Sequence, residues 1–418
     1  MELKNNYQFY RTSPPIDQQI NSANMTIDSL SVRDPQFQNL NPPHQIPLVA
    51  ASSFVFDSIE EGMAIFSGEQ PGHVYGRFGN PTIDAVAEKI AALEGFGLDQ
   101  PTAGLFCSSG MAAIATVMLG LCEPGDTVLT QADLYGGTTS LLQQLEKRGI
   151  HTVTCDLRDE AAVNKVFSQE GRMRMIFVET PSNPTLRVTD LVSLANIAHA
   201  HDALLVADNT FATPFVQRPL AFGADIVVHS TTKFINGHGT GIAGAIVCRD
   251  PEMLNEKLVP VYRLYGGSGN PWDAWLVLNG LKTLALRMER HSQNAQTVAE
   301  WLVKHPSVTK VNYPGLPGHP DEATIRTQMT QNGGMLSFEL AGGTEAGMAF
   351  MNRIKFCTLT PTLGDVDTLV LHPATMSHRG VDPAVRAAHG ISDGLVRLSV
   401  GIEAVADIIA DLEQAIGG

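Results

Sequence analysis

Short apolar segments alternate with helix-like segments over most of the first 250 residues. The strand-like segments are 104–107, 127–129, 151–155, 175–179, 203–207 and 224–229, and helix-like segments lie between them at 112–117, 136–148, 160–169 and 189–201. Parallel strands need a crossover connection, which is usually a helix. The alternation therefore predicts a mainly parallel, doubly wound α/β sheet with helices on both faces.

Polar residues follow these strand-like segments at nearly every strand end. Ligand sites of open α/β sheets form at the carboxyl ends of the strands, so these residues are the first candidates for an active site. They are Ser109, Tyr135, Glu179, Asn183, Asp208, Ser230 and Lys233.

Two of these strand ends carry an amine and a carboxylate. The sequence Ser230-Thr231-Thr232-Lys233 follows one apolar segment, and Asp208 ends the preceding one. In a pyridoxal phosphate (PLP) site a lysine forms a Schiff base and an aspartate pairs with the pyridinium nitrogen. The pattern suits such a site, although a lysine after a strand is also a common solvated surface group.

The turn Ser108-Ser109-Gly110-Met111 lies between a strand-like and a helix-like segment. A helix N-terminus offers unpaired N–H groups and a positive dipole end, which together favour phosphate. The same turn is equally typical of a simple helix cap, so both interpretations stand.

The two ends of the chain differ from this central part. Residues 1–45 are rich in Asn, Gln, Pro and Ser and predict an arm with little core of its own. A long helix is expected at 273–305 with an interruption near Gly280. Strands at 335–340 and 395–400, with helices at 344–354 and 405–415, then predict a smaller α+β unit.

Charge and cysteine content exclude several classes of protein. The net charge is −15, which opposes nonspecific binding to nucleic acid or to anionic membranes. The five cysteines are scattered without a CxxC pair, so we do not expect a disulfide framework. We expect a cytoplasmic protein, because thiols stay reduced in that compartment. The histidines at 199, 201, 372, 378 and 389 have no ligand pattern around them, so no metal is predicted.

Five sequence blocks together resemble the trans-sulfuration (Cys/Met metabolism) family of PLP-dependent enzymes. This family includes cystathionine γ-lyase, methionine γ-lyase, cystathionine γ-synthase and the O-acylhomoserine sulfhydrylases. The blocks are YGRFGNPT at 75–82, SSGM at 108–111, ETPSNP at 179–184, DNT at 208–210 with STTK at 230–233, and RLSVGIE at 397–403. The likeness covers about residues 45–418.

The resemblance implies an aspartate-aminotransferase-like fold of type I, whose large domain contains a mainly parallel seven-stranded sheet. It implies three parts: an arm at 1–68 that contacts the neighbouring subunit, a large PLP-binding domain at 69–280, and a small C-terminal α+β domain at 281–418. It also implies a homotetramer built as a dimer of catalytic dimers.

Three residues are catalytic by this resemblance. Lys233 would be the Schiff-base lysine and the base that moves protons between substrate carbons. Asp208 would keep the ring nitrogen protonated, and Tyr135 would stack on the ring and assist the leaving group.

The resemblance also implies the residues that bind cofactor and substrate. Gly110, Met111, Ser230 and Thr232 would bind the cofactor phosphate, and Tyr75 and Arg77 would reach the phosphate in the neighbouring subunit. Asn183 and Arg397 would hold the substrate carboxylate, with Thr362 also at the substrate site.

The implied reaction is γ-elimination on a γ-substituted homoserine or homocysteine derivative, such as methionine, cystathionine or canavanine. The alternative is a γ-replacement synthase that uses an O-acylhomoserine and a thiol. A non-catalytic, PLP-binding regulatory relative is the remote alternative.

Several positions depart from particular subfamilies. Methionine γ-lyases usually carry a cysteine where this chain has Gly137, and a Lys-Asp pair where it has Tyr262-Arg263. Many cystathionine enzymes carry a glutamate where this chain has Pro361. We therefore expect a γ-lyase of broad or unusual substrate choice.

Overall fold

The structure is a computed structural model that describes residues 25–33, 43–169, 171–377, 379–380 and 383–417. Residues 1–24 and 34–42 of the predicted arm lie outside the described residues. Within the arm a short helix, Ile27–Val32, begins at the N-cap Thr26 and buries Leu30 against the large core. This part of the arm therefore does contribute to the core, because a short apolar stretch lies within its polar sequence.

A seven-stranded sheet forms the centre of the larger part. Its strands are β1 Ala103–Cys107, β2 Asp126–Thr130, β3 His151–Thr154, β4 Arg172–Glu179, β5 Leu204–Asp208, β6 Ile226–His229 and β7 Gly244–Cys248. Their order is β1-β7-β6-β5-β4-β2-β3, and all pairs that do not involve β7 are parallel. The predicted mainly parallel, seven-stranded α/β sheet of fold type I is confirmed.

Strand β7 was missing from the individual strand predictions. It lies between β1 and β6 and runs antiparallel to both. The residues Gly244–Cys248 follow a glycine-rich segment whose composition is typical of a loop. They form a strand because they pair with β1 and β6.

Helices cover both faces of this sheet, as the alternation predicts. One core on one face includes Val178, Leu205, Ala207 and Val227, and a second core on the other face includes Phe177, Val206 and Val228. Neighbouring residues of one strand thus belong to different cores, because side chains alternate across a sheet.

The helices of the chain have the following bounds. They are Ile27–Val32, Ile59–Ser67, Pro81–Glu94, Gly110–Leu121, Gly136–Glu146, Glu160–Gln169, Leu191–Ala200, Thr213–Val216, Pro251–Met253, Val259–Leu264, Pro271–Leu281, Leu284–Leu302, Glu322–Gln328, Gly343–Arg353, Pro383–Ala388 and Val405–Gly417, with a 3₁₀ turn at Pro219–Phe222 and a π turn at Leu254–Leu258. Over the described residues no helix is long and apolar enough to cross a membrane.

A second sheet of five strands follows in the C-terminal part. Its strands are β8 Val308–Asn312, β9 Met335–Leu340, β10 Thr358–Leu359, β11 Leu369–Leu371 and β12 Leu395–Ser399, in the order β10-β11-β12-β9-β8. A separate core packs around Phe338, Val396 and Leu412. The smaller α+β architecture is confirmed, while the exact domain limits at 68/69 and 280/281 stay predictions.

The long helix expected at 273–305 is two helices, Pro271–Leu281 and Leu284–Leu302. Gly280 lies at the end of the first one, directly against the turn that follows Lys233. A Cβ at Gly280 would lie 2.4 Å from the Asn236 oxygen and 2.9 Å from the Asn236 Cα. Glycine thus allows the helix to approach this turn closely.

We predict that Gly280→Ala destabilises the protein, because the added methyl group must displace the backbone of Asn236. Overpacking of this kind costs about 1–3 kcal/mol. A thermal unfolding scan should show a Tm lowered by several degrees. Gly171→Ala is the control, since a Cβ at Gly171 has nothing within 4 Å. Equal Tm values for the two variants would contradict the prediction.

Candidate active site

The carboxyl ends of β4, β5 and β6 bring polar groups to one edge of the large sheet. Glu179 is paired in register with Asp208, and Asp208 is paired with Val228. Both carboxylates lie on the sheet face that also carries Phe177 and Val206. Asp208 and Glu179 are buried, with 9% and 5% of their surface exposed. Parallel pairing thus concentrates two carboxyl groups at one buried place.

The side chain of Thr210 links Asp208 to Ser230. The Thr210 N–H and hydroxyl donate to Asp208 Oδ1 at 3.0 and 2.5 Å, and the same hydroxyl oxygen accepts the Ser230 N–H at 2.9 Å. Burial raises the pKa of Asp208, and the hydrogen bonds from Thr210 oppose this rise. Thr210 therefore holds the Asp208 carboxylate in place and favours its charged form.

Lys233 and Arg397 meet at Thr362. The Lys233 Nζ donates to Thr362 Oγ1 at 3.0 Å, and the Arg397 Nη2 donates to the Thr362 carbonyl oxygen at 3.1 Å. Burial, helped by the positive charge of Arg397, lowers the pKa of Lys233 to about 8. A lysine of this kind is partly uncharged near neutral pH, which suits it to act as a nucleophile and base.

Arg397 also reaches Asn183, whose Oδ1 lies 3.4 Å from the Arg397 Nη1. The guanidinium is buried, and burial lowers its pKa to about 10 while the Glu179 carboxylate opposes this shift. Arg397 is on β12 of the second sheet and Asn183 follows β4 of the first. Their contact therefore brings residues of both sheets into one site that can bind a carboxylate.

The helix Gly110–Leu121 begins beside Ser230. Ser109 is the N-cap residue, and its Oγ accepts the Ala112 N–H at 3.0 Å. A Cβ on Gly110 would lie 2.7 Å from the Ser230 Cβ, so glycine is needed for this close approach. The N–H groups of the first helical turn and the Ser230 hydroxyl thus lie side by side, which is an arrangement suited to an anion.

Thr232 and Met111 lie close to Ser230 and Gly110 in the chain and have contacts of their own. The Thr232 hydroxyl donates to the Ala243 oxygen at 3.2 Å and accepts the Ala243 N–H at 3.0 Å, so part of its hydrogen-bonding capacity serves the backbone. A Cβ on Gly137 would lie 3.0 Å from the Met111 Sδ and 2.5 Å from the Tyr135 ring. Gly137 therefore leaves the room that the Tyr135 ring occupies beside Met111.

Tyr135 immediately precedes the helix Gly136–Glu146. Its N–H donates to Glu179 Oε2 at 2.8 Å, and its side chain is 51% exposed. The ring therefore projects from the sheet edge with a free face.

Tyr75 and Arg77 do not take part in these contacts among the described residues. The Arg77 Nη1 donates to the Arg263 oxygen at 2.6 Å, and its guanidinium lies over the rings of Tyr75 and Phe78. One chain thus brings together ten of the twelve predicted site residues and leaves these two elsewhere on its surface.

Two further residues, Thr210 and Tyr262, have contacts that the sequence did not predict. Thr210 stands inside a block that carried the family resemblance, yet the sequence assigned it no role; its signal was a small hydroxyl two residues after the strand-end Asp208. Tyr262, which replaces a subfamily lysine, is a buried core residue whose hydroxyl donates to the Phe106 oxygen at 2.8 Å.

The chain matches known proteins over nearly its whole length. A family model described as "Cys/Met metabolism PLP-dependent enzyme" matches residues 25–417. The L-methionine gamma-lyase of Fusobacterium nucleatum subsp. nucleatum is 44% identical over 381 residues, which is 91% of this chain and 95% of the relative. The O-succinylhomoserine sulfhydrylase of Pseudomonas aeruginosa is 40% identical over 390 residues, which is 93% of this chain and 94% of the relative.

Solved structures of related enzymes have a similar fold, as one example shows. The crystal structure of cystathionine gamma-lyase from Lactobacillus plantarum complexed with L-serine has a TM-score of 0.86 and 37% sequence identity. The alignment covers 94% of this chain and 99% of that one.

We predict that Thr210→Val destabilises the protein by about 2 kcal/mol, because the buried Asp208 carboxylate loses its hydroxyl donor. The same loss should raise the pKa of Asp208 further. Urea unfolding at neutral pH measures the effect. Thr210→Ser keeps the hydroxyl and is the matched control, so a serine variant as unstable as the valine variant would contradict this explanation.

Proposed function

The chain belongs to the Cys/Met metabolism family of PLP-dependent enzymes, and on this premise we propose that it is a γ-lyase acting on γ-substituted homoserine or homocysteine derivatives. Its cofactor is pyridoxal phosphate. The observation that carries the proposal is the contact of Lys233 and Arg397 at Thr362, which places a partly uncharged amine beside a carboxylate-binding group.

The site residues fit the chemical groups of this cofactor. The N-terminus of the helix Gly110–Leu121 and the Ser230 side chain lie in close contact because Gly110 has no Cβ, and such a helix end with a neighbouring hydroxyl suits the phosphate. The hydrogen bonds from Thr210 to Asp208 both use Oδ1, so Oδ2 can accept a proton-bearing ring nitrogen. We propose that Gly110, Met111, Ser230 and Thr232 bind the phosphate and that Lys233 holds the cofactor covalently through Nζ.

When bound, pyridoxal phosphate supplies an electron sink for negative charge on the substrate carbons. In our proposal the Arg397 guanidinium and the Asn183 amide bind the substrate α-carboxylate, with Thr362 beside them. The Lys233 amine, released when the substrate amino group takes its place, would remove the proton from Cα, give that proton up, and then remove one from Cβ of the substrate. The Tyr135 hydroxyl donates a proton to the departing γ-group.

The overall reaction of L-methionine would balance with one water. Methionine and water give methanethiol, 2-oxobutanoate and ammonia, because the Cγ–S bond breaks and the amino group is finally hydrolysed. The relative from Fusobacterium nucleatum supports methionine as the first substrate to test. The relative from Pseudomonas aeruginosa supports γ-replacement by a thiol as the second candidate function.

We predict that the purified, cofactor-loaded protein releases 2-oxobutanoate and ammonia without an added thiol. L-Methionine, L-cystathionine, L-canavanine and O-acetyl-L-homoserine are supplied separately, with and without sulfide, and the products are measured. Lys233→Ala should abolish product formation, because it removes both the covalent attachment and the base. Turnover that occurs only with the O-acyl ester and only with sulfide would establish the synthase instead.

We also propose a homotetramer made of two catalytic dimers, working in the cytoplasm. All five cysteines are free, as expected of a reducing compartment. The side chains of Tyr75 and Arg77 are exposed and lie outside the site of their own chain, as residues that serve a second subunit's site would. A cleft of about 270 Å³ between the helices Ile59–Ser67 and Val259–Leu264 is lined by Phe66, Phe78 and Leu264.

Exposed apolar side chains on and just before the helix Ile59–Ser67, together with Leu264, support the same proposal. Their exposed fractions are large, at 95% for Val55, 72% for Ile59, 65% for Met63 and 79% for Leu264. An apolar surface of this kind is typical of an interface between subunits.

We predict that two inactive variants restore activity when they are combined. If each site takes Lys233 from one chain and Arg77 from the other, a mixed dimer of Lys233→Ala and Arg77→Ala chains has one site that lacks both residues and one site in which both are intact. Random mixing of the two chains should then give about a quarter of wild-type activity. Unfolding and refolding the two variants together, with each refolded alone as the control, measures this. Activity no greater than the sum of the two separate variants would contradict a shared site.

A further inference from the structure

The Glu179 carboxylate is buried at the centre of the site and has no role in the mechanism above. We propose that Glu179 is a positioning residue that fixes Tyr135 and Asn183 relative to Arg397, and that its ionisation sets the acid limit of substrate binding. This rests on the proposed function for the roles of those three residues.

Glu179 faces the backbones of two separate loops. Its Oε2 accepts the Tyr135 N–H at 2.8 Å, and the Asn183 backbone N–H lies on the side of the same carboxylate and favours its charged form. Tyr135 is the N-cap residue of its helix, so this carboxylate accepts the N–H that the N3 glutamate of a capping box otherwise accepts. One carboxylate that meets both loops therefore helps to determine where the Tyr135 ring and the Asn183 amide lie.

The position of Glu179 is itself well fixed. Its own N–H donates to Gln131 Oε1 at 3.2 Å, and its carbonyl oxygen accepts from Gln131 Nε2 at 3.0 Å. These bonds add to the pairing of β4 with β5. Glu179 is thus a rigid point from which two loops are held.

Charged groups face Glu179 from every element packed against it. Asp208 on β5 and Asp133 after β2 repel its negative charge. Arg397 on β12 attracts it, and both Lys233 and the Tyr135 phenol lie close enough to Arg397 to act on the same charges. Burial and, after it, the charge of Asp208 raise the pKa of Glu179 well above that of an ordinary glutamate.

The direction of the pH effect follows from these contacts. Protonation of Glu179 weakens the charge-assisted hydrogen bond from the Tyr135 N–H and removes the negative charge that faces the Asn183 N–H and Arg397. The loops that carry Tyr135 and Asn183 are then held less firmly. Substrate binding should therefore weaken as the pH falls through the pKa of Glu179, and KM should rise more than kcat falls.

The test is Glu179→Gln in the cofactor-loaded protein. The amide keeps the size of the side chain and cannot ionise, so we expect KM for the best substrate to rise roughly tenfold or more at a pH above the pKa of Glu179. The acid limb of kcat/KM should disappear or move, because the group that titrates is gone. Binding of L-norleucine, which has the carboxylate and an apolar chain but no leaving group, should weaken by a similar factor in a titration of cofactor absorbance.

Two variants keep the result interpretable. Glu179→Asp retains the charge but shortens the reach, so it should raise KM and keep an acid limb. Asp126→Asn is the matched control: Asp126 is a buried carboxylate at the opposite end of β2 that accepts the Glu123 N–H at 2.8 Å and pairs with Arg172 at 2.9 Å. Its loss should lower Tm without changing the acid limb or the norleucine affinity.

A folded Glu179→Gln protein with wild-type KM, acid limb and norleucine affinity would overturn the proposal. So would an equal change of the acid limb in Asp126→Asn. If the wild-type protein binds norleucine but eliminates no γ-group, the proposed function fails while the norleucine titration still tests the role of Glu179. Should Glu179→Gln fail to fold, Glu179→Asp provides the decisive comparison through its KM and acid limb.

Discussion

The parallel hydrogen bonding of β4, β5 and β6 is the constraint on which the site depends. Because Glu179 is paired with Asp208, two carboxyl groups that lie far apart in the sequence become neighbours on one buried face. A shift of one residue in this pairing would turn one of them to the other face of the sheet. The hydrogen bonds of Thr210, and the nearby charge of Arg397, offset the cost of burying these groups.

The second half of the site comes from a different sheet, and its placement depends on contacts distant from the chemistry. Arg187 forms a bidentate ion pair with Asp321, with both nitrogen–oxygen distances at 2.7 Å. Ser337 on β9 donates to the Pro184 oxygen at 2.8 Å. These bonds join the loop after β4 to the C-terminal part. The distance between Lys233 and Arg397 is therefore a property of how the two sheets pack.

Much of this architecture follows from local sequence pattern, and the rest does not for identifiable reasons. Apolar segments predicted six strands of the large sheet, because buried parallel strands need continuous apolar residues. Strand β7 was missed, since its position is set by pairing with β1 and β6 rather than by its own composition. The glycine at position 280 predicted the break between the two helices nearly correctly. The turn that contains Asn236 requires a residue this small at that position.

Candidate residues at strand ends were predictable in the same way, but their relations were not. The sequence named Glu179 and gave it no task, because its two backbone partners are defined only once Tyr135 and Asn183 are placed in space. It named Thr362 without showing that this residue joins Lys233 to Arg397. The assignments of Tyr75 and Arg77 stay predictions, since they concern a second copy of the chain.

The exposed apolar residues around Ile59, Phe66 and Leu264 have a consequence for biosynthesis. A newly made chain that has folded but not yet met another copy displays these side chains to water, and such surfaces favour aggregation. In the oligomer that we propose, a second chain covers this surface, so assembly competes with aggregation for each newly folded chain, and a substitution that slows assembly would lower the yield of dissolved protein.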